Sequence, residues 1–255
     1  VTWRAADLVV IVRDGTSGPQ VPRHGRPATV ALVPALDPPT VHPTPSPAAL
    51  ADLLGALAYG ELTAFQRLAG DSVLAESVAD AAALAAMAAA EYGHHARLVG
   101  YLSDRGIDPE AAMAPFVAPL NAFHLQTAPA DWLQSLVKAY VGDGIGTDFY
   151  REVAGFVDPE TRALIEAVSA DTGHAAFAVE HVRAAIALDP RLSGRLALWA
   201  RRLVGEALTQ AQRVAVERDA LTELLGEATD LAGIGAVFER ILAAHEERMR
   251  ALGLA

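Results

Sequence analysis

From residue 46 onward, apolar positions recur with a helical period, and the interruptions fall at recognisable helix starts and stops. Ser46-Pro47, Asp158-Pro159 and Asp189-Pro190 each set a capping side chain ahead of a proline suited to the first helical position. Glu160 adds an acid to a first turn, where the helix dipole favours it. Gly70-Asp71-Ser72 and Gly106 mark helix ends. The pattern predicts helices near 47–69, 73–104, 131–156, 159–188, 190–224 and 229–252, with a shorter helix or irregular crossover over about 109–127. No strand pattern follows residue 45. The expected class is all-α: a four-helix bundle over 46–188 with additional C-terminal helices over 189–255.

Residues 1–45 differ. They are rich in Pro, Gly and Thr, carry two short apolar runs (Leu8–Val12 and Val30–Val33), and read as a poorly ordered segment ending in a Pro-rich linker. The alanine-rich run Ala81–Ala90 is about half the length of a membrane span and reads as buried helix. No signal-peptide pattern appears, so the expected location is cytoplasmic, without a membrane partner.

The absence of cysteine excludes disulfides, thiolate metal sites and thiol nucleophiles. Any metal must then be held by His, Asp and Glu, a donor set suited to iron, manganese or zinc. A formal net charge of −11 disfavours broad electrostatic capture of nucleic acid.

Two segments carry candidate chemistry: Glu91-Tyr92-Gly93-His94 and Asp171-Thr172-Gly173-His174. In each, an acid and a histidine three residues apart share one face of a helix. Each is preceded, one predicted helix earlier, by a Gly-acid pair: Gly60-Glu61 and Gly142-Asp143. The unit of acid, then acid-x-x-His, therefore occurs twice, as an internal duplication of a helix pair. Four facing helices that supply one acid each, with a histidine from two of them, make a ligand set for two cations. The expected ligands are Glu61, Glu91, His94, Asp143, Asp171 and His174, and the expected cofactor is two iron ions, with manganese or a mixed pair as alternatives. The apolar surroundings of Glu61 and Glu91 argue against a wet surface pair, and four buried carboxylates require metal to neutralise them. Gly142, Gly144 and Gly146 each cost a helix roughly 1 kcal/mol, which points to metal ligation or close helix approach there. Asp148 competes with Asp143, but it lies about 140° around the helix from it, so only one can face the site.

Tyr59, Tyr140, His181 and Glu206 are candidates for positions just behind the ligands, each with core packing or a solvated pair as the ordinary alternative. Tyr92 also lies near the ligands, and His95 points about 100° away from His94. Arg201, Arg202, Arg213 and Arg218 form the best basic stripe and read as a solvated face.

At these residues the sequence resembles the ferritin-like di-iron carboxylate superfamily and, more narrowly, actinobacterial proteins grouped with the tRNA-(ms2io6A) hydroxylases of the MiaE type. The resemblance covers roughly 48–225 and is carried by Ala111-Ala112-Met113-Ala114-Pro115-Phe116, Leu136-Val137-Lys138-Ala139-Tyr140-Val141-Gly142-Asp143 and Asp171-Thr172-Gly173-His174. It implies a ferritin-like bundle with the same six residues as iron ligands, and a dioxygen-dependent oxidation or hydroxylation. Asp143 and Asp171 stand where that pattern usually has Glu. The expected partners are dioxygen, an external electron donor, a small-molecule or modified-nucleoside substrate and, as an assembly, a second copy in a homodimer; the acidity weighs against tRNA itself. The alternatives are ferroxidase or iron-handling activity, and a degenerate bundle used for protein interaction.

Overall fold

The computed structural model describes residues 45–170, 174–226 and 231–255, apart from some side chains near these breaks. The N-terminal segment lies outside them, as does its expected lack of order. Among the described residues every regular element is helical: α1 (Pro47–Asp71), a single 3-10 turn (Ser72–Leu74), α2 (Val78–Asp104), α3 (Pro109–Gln126), α4 (Trp132–Ala154), α5 (Pro159–Val168), α6 (His174–Leu188), α7 (Arg191–Glu217), α8 (Asp219–Gly226) and α9 (Leu231–Leu252).

Side-chain caps fix most of the starts. Ser46 accepts from the Ala49 amide, Ser77 from Asp80, Asp108 from Glu110, Asp131 from Gln134, and Asp158 from Glu160 and Thr161. At α7 the helix begins one residue later than predicted: Pro190 is the cap and Asp189 accepts from the Arg191 amide. Gly106 (φ +70°) takes the left-handed conformation just past the end of α2.

One open alternative is decided and two predicted elements change. The crossover is a regular helix, α3, despite Pro115 and Pro119 inside it. The helix predicted over 159–188 is α5 and α6: α5 ends at Val168, with Ser169 as its C-cap. The helix predicted over 190–224 stops at Glu217. There Arg218 leaves the helical conformation and pairs through Nε (3.0 Å) and Nη2 with the buried carboxylate of Asp52. Arg218 therefore does not belong to a solvated stripe.

The helices enclose two apolar cores. The first gathers Leu68, Leu84, Ala88, Leu136, Val141, Ala178, Val182 and Leu203, from α1, α2, α4, α6 and α7. The second gathers Leu53, Leu57, Leu98, Leu102, Phe116, Val153, Ile165 and Leu221, from α1, α2, α3, α4, α5 and α8. Helices α1, α2 and α4 run through both, so each has a middle stretch between the cores: residues 59–67, 89–97 and 142–152. The candidate ligands of these helices lie in that intermediate layer.

The stretch Pro47–Leu74 is long and apolar enough to cross a membrane by composition, yet 44% of its most apolar window is buried inside the protein. Its apolar residues serve both cores. Gly55 marks the closest approach: a Cβ there would stand 2.1 Å from the Ala112 carbonyl oxygen, so α1 and α3 touch through backbone.

Gly55→Ala should therefore destabilise the fold by about 1–3 kcal/mol, or more if the helices cannot part. Gly100→Ala, on the exposed side of α2 with open space around it, should stabilise it by about 0.5–1 kcal/mol. Urea denaturation followed by circular dichroism checks both signs.

Candidate metal centre

Glu91 and His94 stand one turn apart on α2 and share a face. Glu61 comes from α1, which the short 72–77 connection sets antiparallel to α2. Glu91 and His94 are buried, and the Glu61 side chain is only 12% exposed. One ligand-type atom from each of the three lies within 4.8 Å of the others.

The imidazole Nδ1 of His94 is 3.3 Å from Glu91 Oε2 and 3.5 Å from Glu61 Oε2. Neither contact has hydrogen-bond geometry, so this buried nitrogen lacks a hydrogen-bond partner. The attraction is a long charge contact, and its electrostatic consequences are large. Burial pushes the Glu61 carboxyl up to about 8, with the His94 contact opposing and the neighbouring Glu91 adding to the rise. The Glu61 and Glu91 carboxylates hold the His94 imidazolium up at about 9, against its own desolvation. Near neutral pH the cluster therefore retains protons that free residues would have lost. A convergent set of two carboxylates and an imidazole, with one donor atom unclaimed, suits a cation that displaces those protons.

A cavity of about 190 Å³ opens beside the cluster. Glu61, Glu91 and Asp143 line it, with Tyr150, Lys138 and His124. Asp143 is partly solvent-exposed but faces this cavity, whereas Asp148 pairs with Arg248 of α9 (2.6 Å). The two aspartates divide as their angular separation requires. A Cβ on Gly144 would meet the Arg248 side chain at 2.6 Å, so this glycine lets the arginine cross α4 to reach Asp148. Asp171 and the side chain of His174 lie outside the described residues, so the second acid-x-x-His unit does too.

The other candidates fall elsewhere. Tyr59 donates to Asn121 Oδ1 (3.2 Å), Tyr140 packs against the first core, and Tyr92 is exposed beside Phe65. His181 engages both ring nitrogens, with the Phe177 carbonyl (2.9 Å) and Asp80 (3.0 Å), and so ties α6 to the start of α2. His95 contacts the Ala58 carbonyl (2.8 Å) across α1. Glu206 accepts from Gln210 Nε2 (2.8 Å) and does not line the cluster's cavity.

Three residues at the cavity have no counterpart among the predicted ones. Tyr150 is half-buried; desolvation, then the Glu61, Asp143 and Glu91 charges, hold its phenol well above the usual range. Its hydroxyl would stand 3.0 Å from a Cβ on Gly60, so Gly60 makes room for it. Lys138, buried on α4, donates to the Thr127 carbonyl (2.8 Å); burial lowers its ammonium to about 8, with Asp71 opposing. His124 has an unpartnered buried Nδ1, and burial drops its imidazole to about 3. Tyr150 was within reach of sequence reasoning, since it lies two turns after Asp143 on the same face.

In metal-free protein, the His94 ring resonances followed by NMR should titrate near pH 9. Glu61→Gln should bring that midpoint down towards 6.5, because it removes the largest contribution holding the imidazolium. An unchanged midpoint would show that Glu61 and His94 do not interact.

A family model described as a ferritin-like domain of actinomycetes matches residues 46–228. A search of curated proteins gives no significant match. The matched span covers most of the chain and takes in the helices that carry Glu61, Glu91, His94 and Asp143; the chain belongs to this actinomycete family of ferritin-like domains.

Proposed function

We propose that this chain is a two-metal carboxylate protein, with iron as the metal, that uses dioxygen to oxidise or hydroxylate an organic substrate in the cytoplasm. The observation that carries the reading is the convergence of Glu61, Glu91 and His94 within 4.8 Å, the buried His94 Nδ1 being held by long charge contacts to the two carboxylates without a hydrogen bond. Leaving such atoms dry costs stability unless a ligand claims them. Glu61, Glu91 and His94 would hold one side of the cluster and Asp143 would approach from the cavity wall, with Asp171 and His174 as the remaining ligands. In sequence, Asp171 and His174 follow Val168 of the second core and precede Ala178 of the first, so they too fall between residues of the two cores.

Iron bound there would supply Lewis acidity and the redox capacity that dioxygen chemistry requires. The chain contributes the surroundings. The two cores shield Glu61 and Glu91 from bulk water, and Tyr150 keeps a protonated hydroxyl beside them. An external reductase is needed, because the chain has no thiol to donate electrons. The small interior cavity and the net charge of −11 favour a free small molecule over a nucleoside carried on tRNA.

Anaerobic reconstitution with ferrous iron should load about two ions per chain, and oxygen should then produce a visible charge-transfer band. Glu91→Ala and His94→Ala should each lower the iron content, and chelation should lower the melting temperature of the wild type. Iron content unchanged by these substitutions would sink the assignment. Large cage-like particles by light scattering, with iron uptake far beyond two ions per chain, would replace it with iron storage.

A further inference from the structure

Gly142, Gly144 and Gly146 stand close together on α4, and packing accounts for only one of them. A Cβ on Gly144 would collide with Arg248. One on Gly142 would have no neighbouring atom within 4 Å, and one on Gly146 would meet only the Tyr150 ring, at an ordinary 3.7 Å. Glycine costs a helix stability relative to alanine, so at these two positions the bare backbone serves something other than packing within the chain.

Gly142, Gly146 and Tyr150 follow one another at four-residue steps and share one face of α4. All three line the cluster's cavity, and all three also line a second cavity of about 280 Å³, so the wall between the two is thin. We propose that the second cavity binds an uncharged, hydrocarbon-rich small molecule, and that Gly142 and Gly146 stay bare so that this molecule lies against the α4 backbone beside the cluster's cavity. The binding claim stands on the cavity and the glycines; only a role as the molecule the cluster oxidises rests on the oxidase reading.

The walls define the ligand. Phe116, Phe149, Val204, Leu208 and Ile241 supply apolar surface from α3, α4, α7 and α9, and no Asp, Glu, Lys or Arg is among the described lining residues. A charged group would be desolvated there without a counterion. Besides Tyr150, the polar residues of the lining are Gln210 and His245. Gln210 gives its Nε2 to Glu206 (2.8 Å), and its Oε1 and the Nδ1 of His245 are buried, so neither buried atom presents surface to a ligand. A hydrocarbon-walled cavity of roughly 150 Å³ stays dry and admits benzene. This one is larger, near the lower end of the roughly 300–1,000 Å³ typical of small-molecule sites. An alkylbenzene-sized molecule suits it.

A side chain at Gly142 should act on stability and on binding with opposite signs. A glycine required by packing would lose stability on gaining a methyl group. Gly142, with open space beside it, should gain helix stability and lose ligand.

The test uses the metal-free full chain near neutral pH, so loss of the two-metal reading would leave the binding claim standing. Isothermal titration should show saturable one-to-one binding of ethylbenzene. Benzylammonium, which has nearly the same shape but carries a charge, should not bind, and neither should benzoate. Gly142→Ala should raise the melting temperature by about 1–4 °C and weaken ethylbenzene about threefold, and Gly142→Leu should weaken it about tenfold or more. Gly100→Ala, which lines neither cavity, should raise the melting temperature with ethylbenzene affinity unchanged. No saturable binding of ethylbenzene, equal affinity for benzylammonium, unchanged affinity in Gly142→Leu, or a lower melting temperature in Gly142→Ala overturns the proposal. If Gly142→Leu does not fold, unchanged affinity in Gly142→Ala overturns it instead.

Discussion

Two carboxylates and an imidazole held between two apolar cores are the constraint around which this bundle is organised. Leucine at those positions would join the cores into one and avoid the desolvation that drives the Glu61 carboxyl to about 8. The chain instead keeps an ionisable layer and surrounds it with small residues. Gly60 leaves room for the Tyr150 hydroxyl, Gly142 and Gly146 leave the cavity wall thin, and Gly144 admits Arg248. Gly142, Gly144 and Gly146 weaken α4 as an isolated helix, and packing on α6, α7 and α9 restores it.

The outer helices are attached by charge as well as by apolar contact. Asp52, buried on α1, receives Arg218 at the break between α7 and α8, and Asp148 receives Arg248 from α9. Each pair has a largely desolvated member, so losing one partner would strand a buried charge, which costs far more than an exposed ion pair contributes. The pairs thereby fix where α8 and α9 sit over α1 and α4.

Much of this was written legibly in the chain. The helix starts at Ser46 and Asp158 were readable because these side chains perform local hydrogen bonding that depends on few distant residues. Glu61, Glu91 and His94 were readable because a polar residue on an apolar face announces itself. The breaks after Val168 and at Arg218 were harder. Helical periodicity continues across both, and the second is decided by a carboxylate far away in sequence. Gln210 and His245 were invisible, since a lone polar residue on an amphipathic helix reads as solvated until three other helices close over it. Lys138 and His124 escaped for the same reason.

Helix α9 contributes Ile241, Leu242 and His245 to the second cavity, yet it lies past residue 228, where the family match ends. The helix that completes this cavity thus lies outside the matched span, whereas Glu61, Glu91, His94 and Asp143 all lie within it.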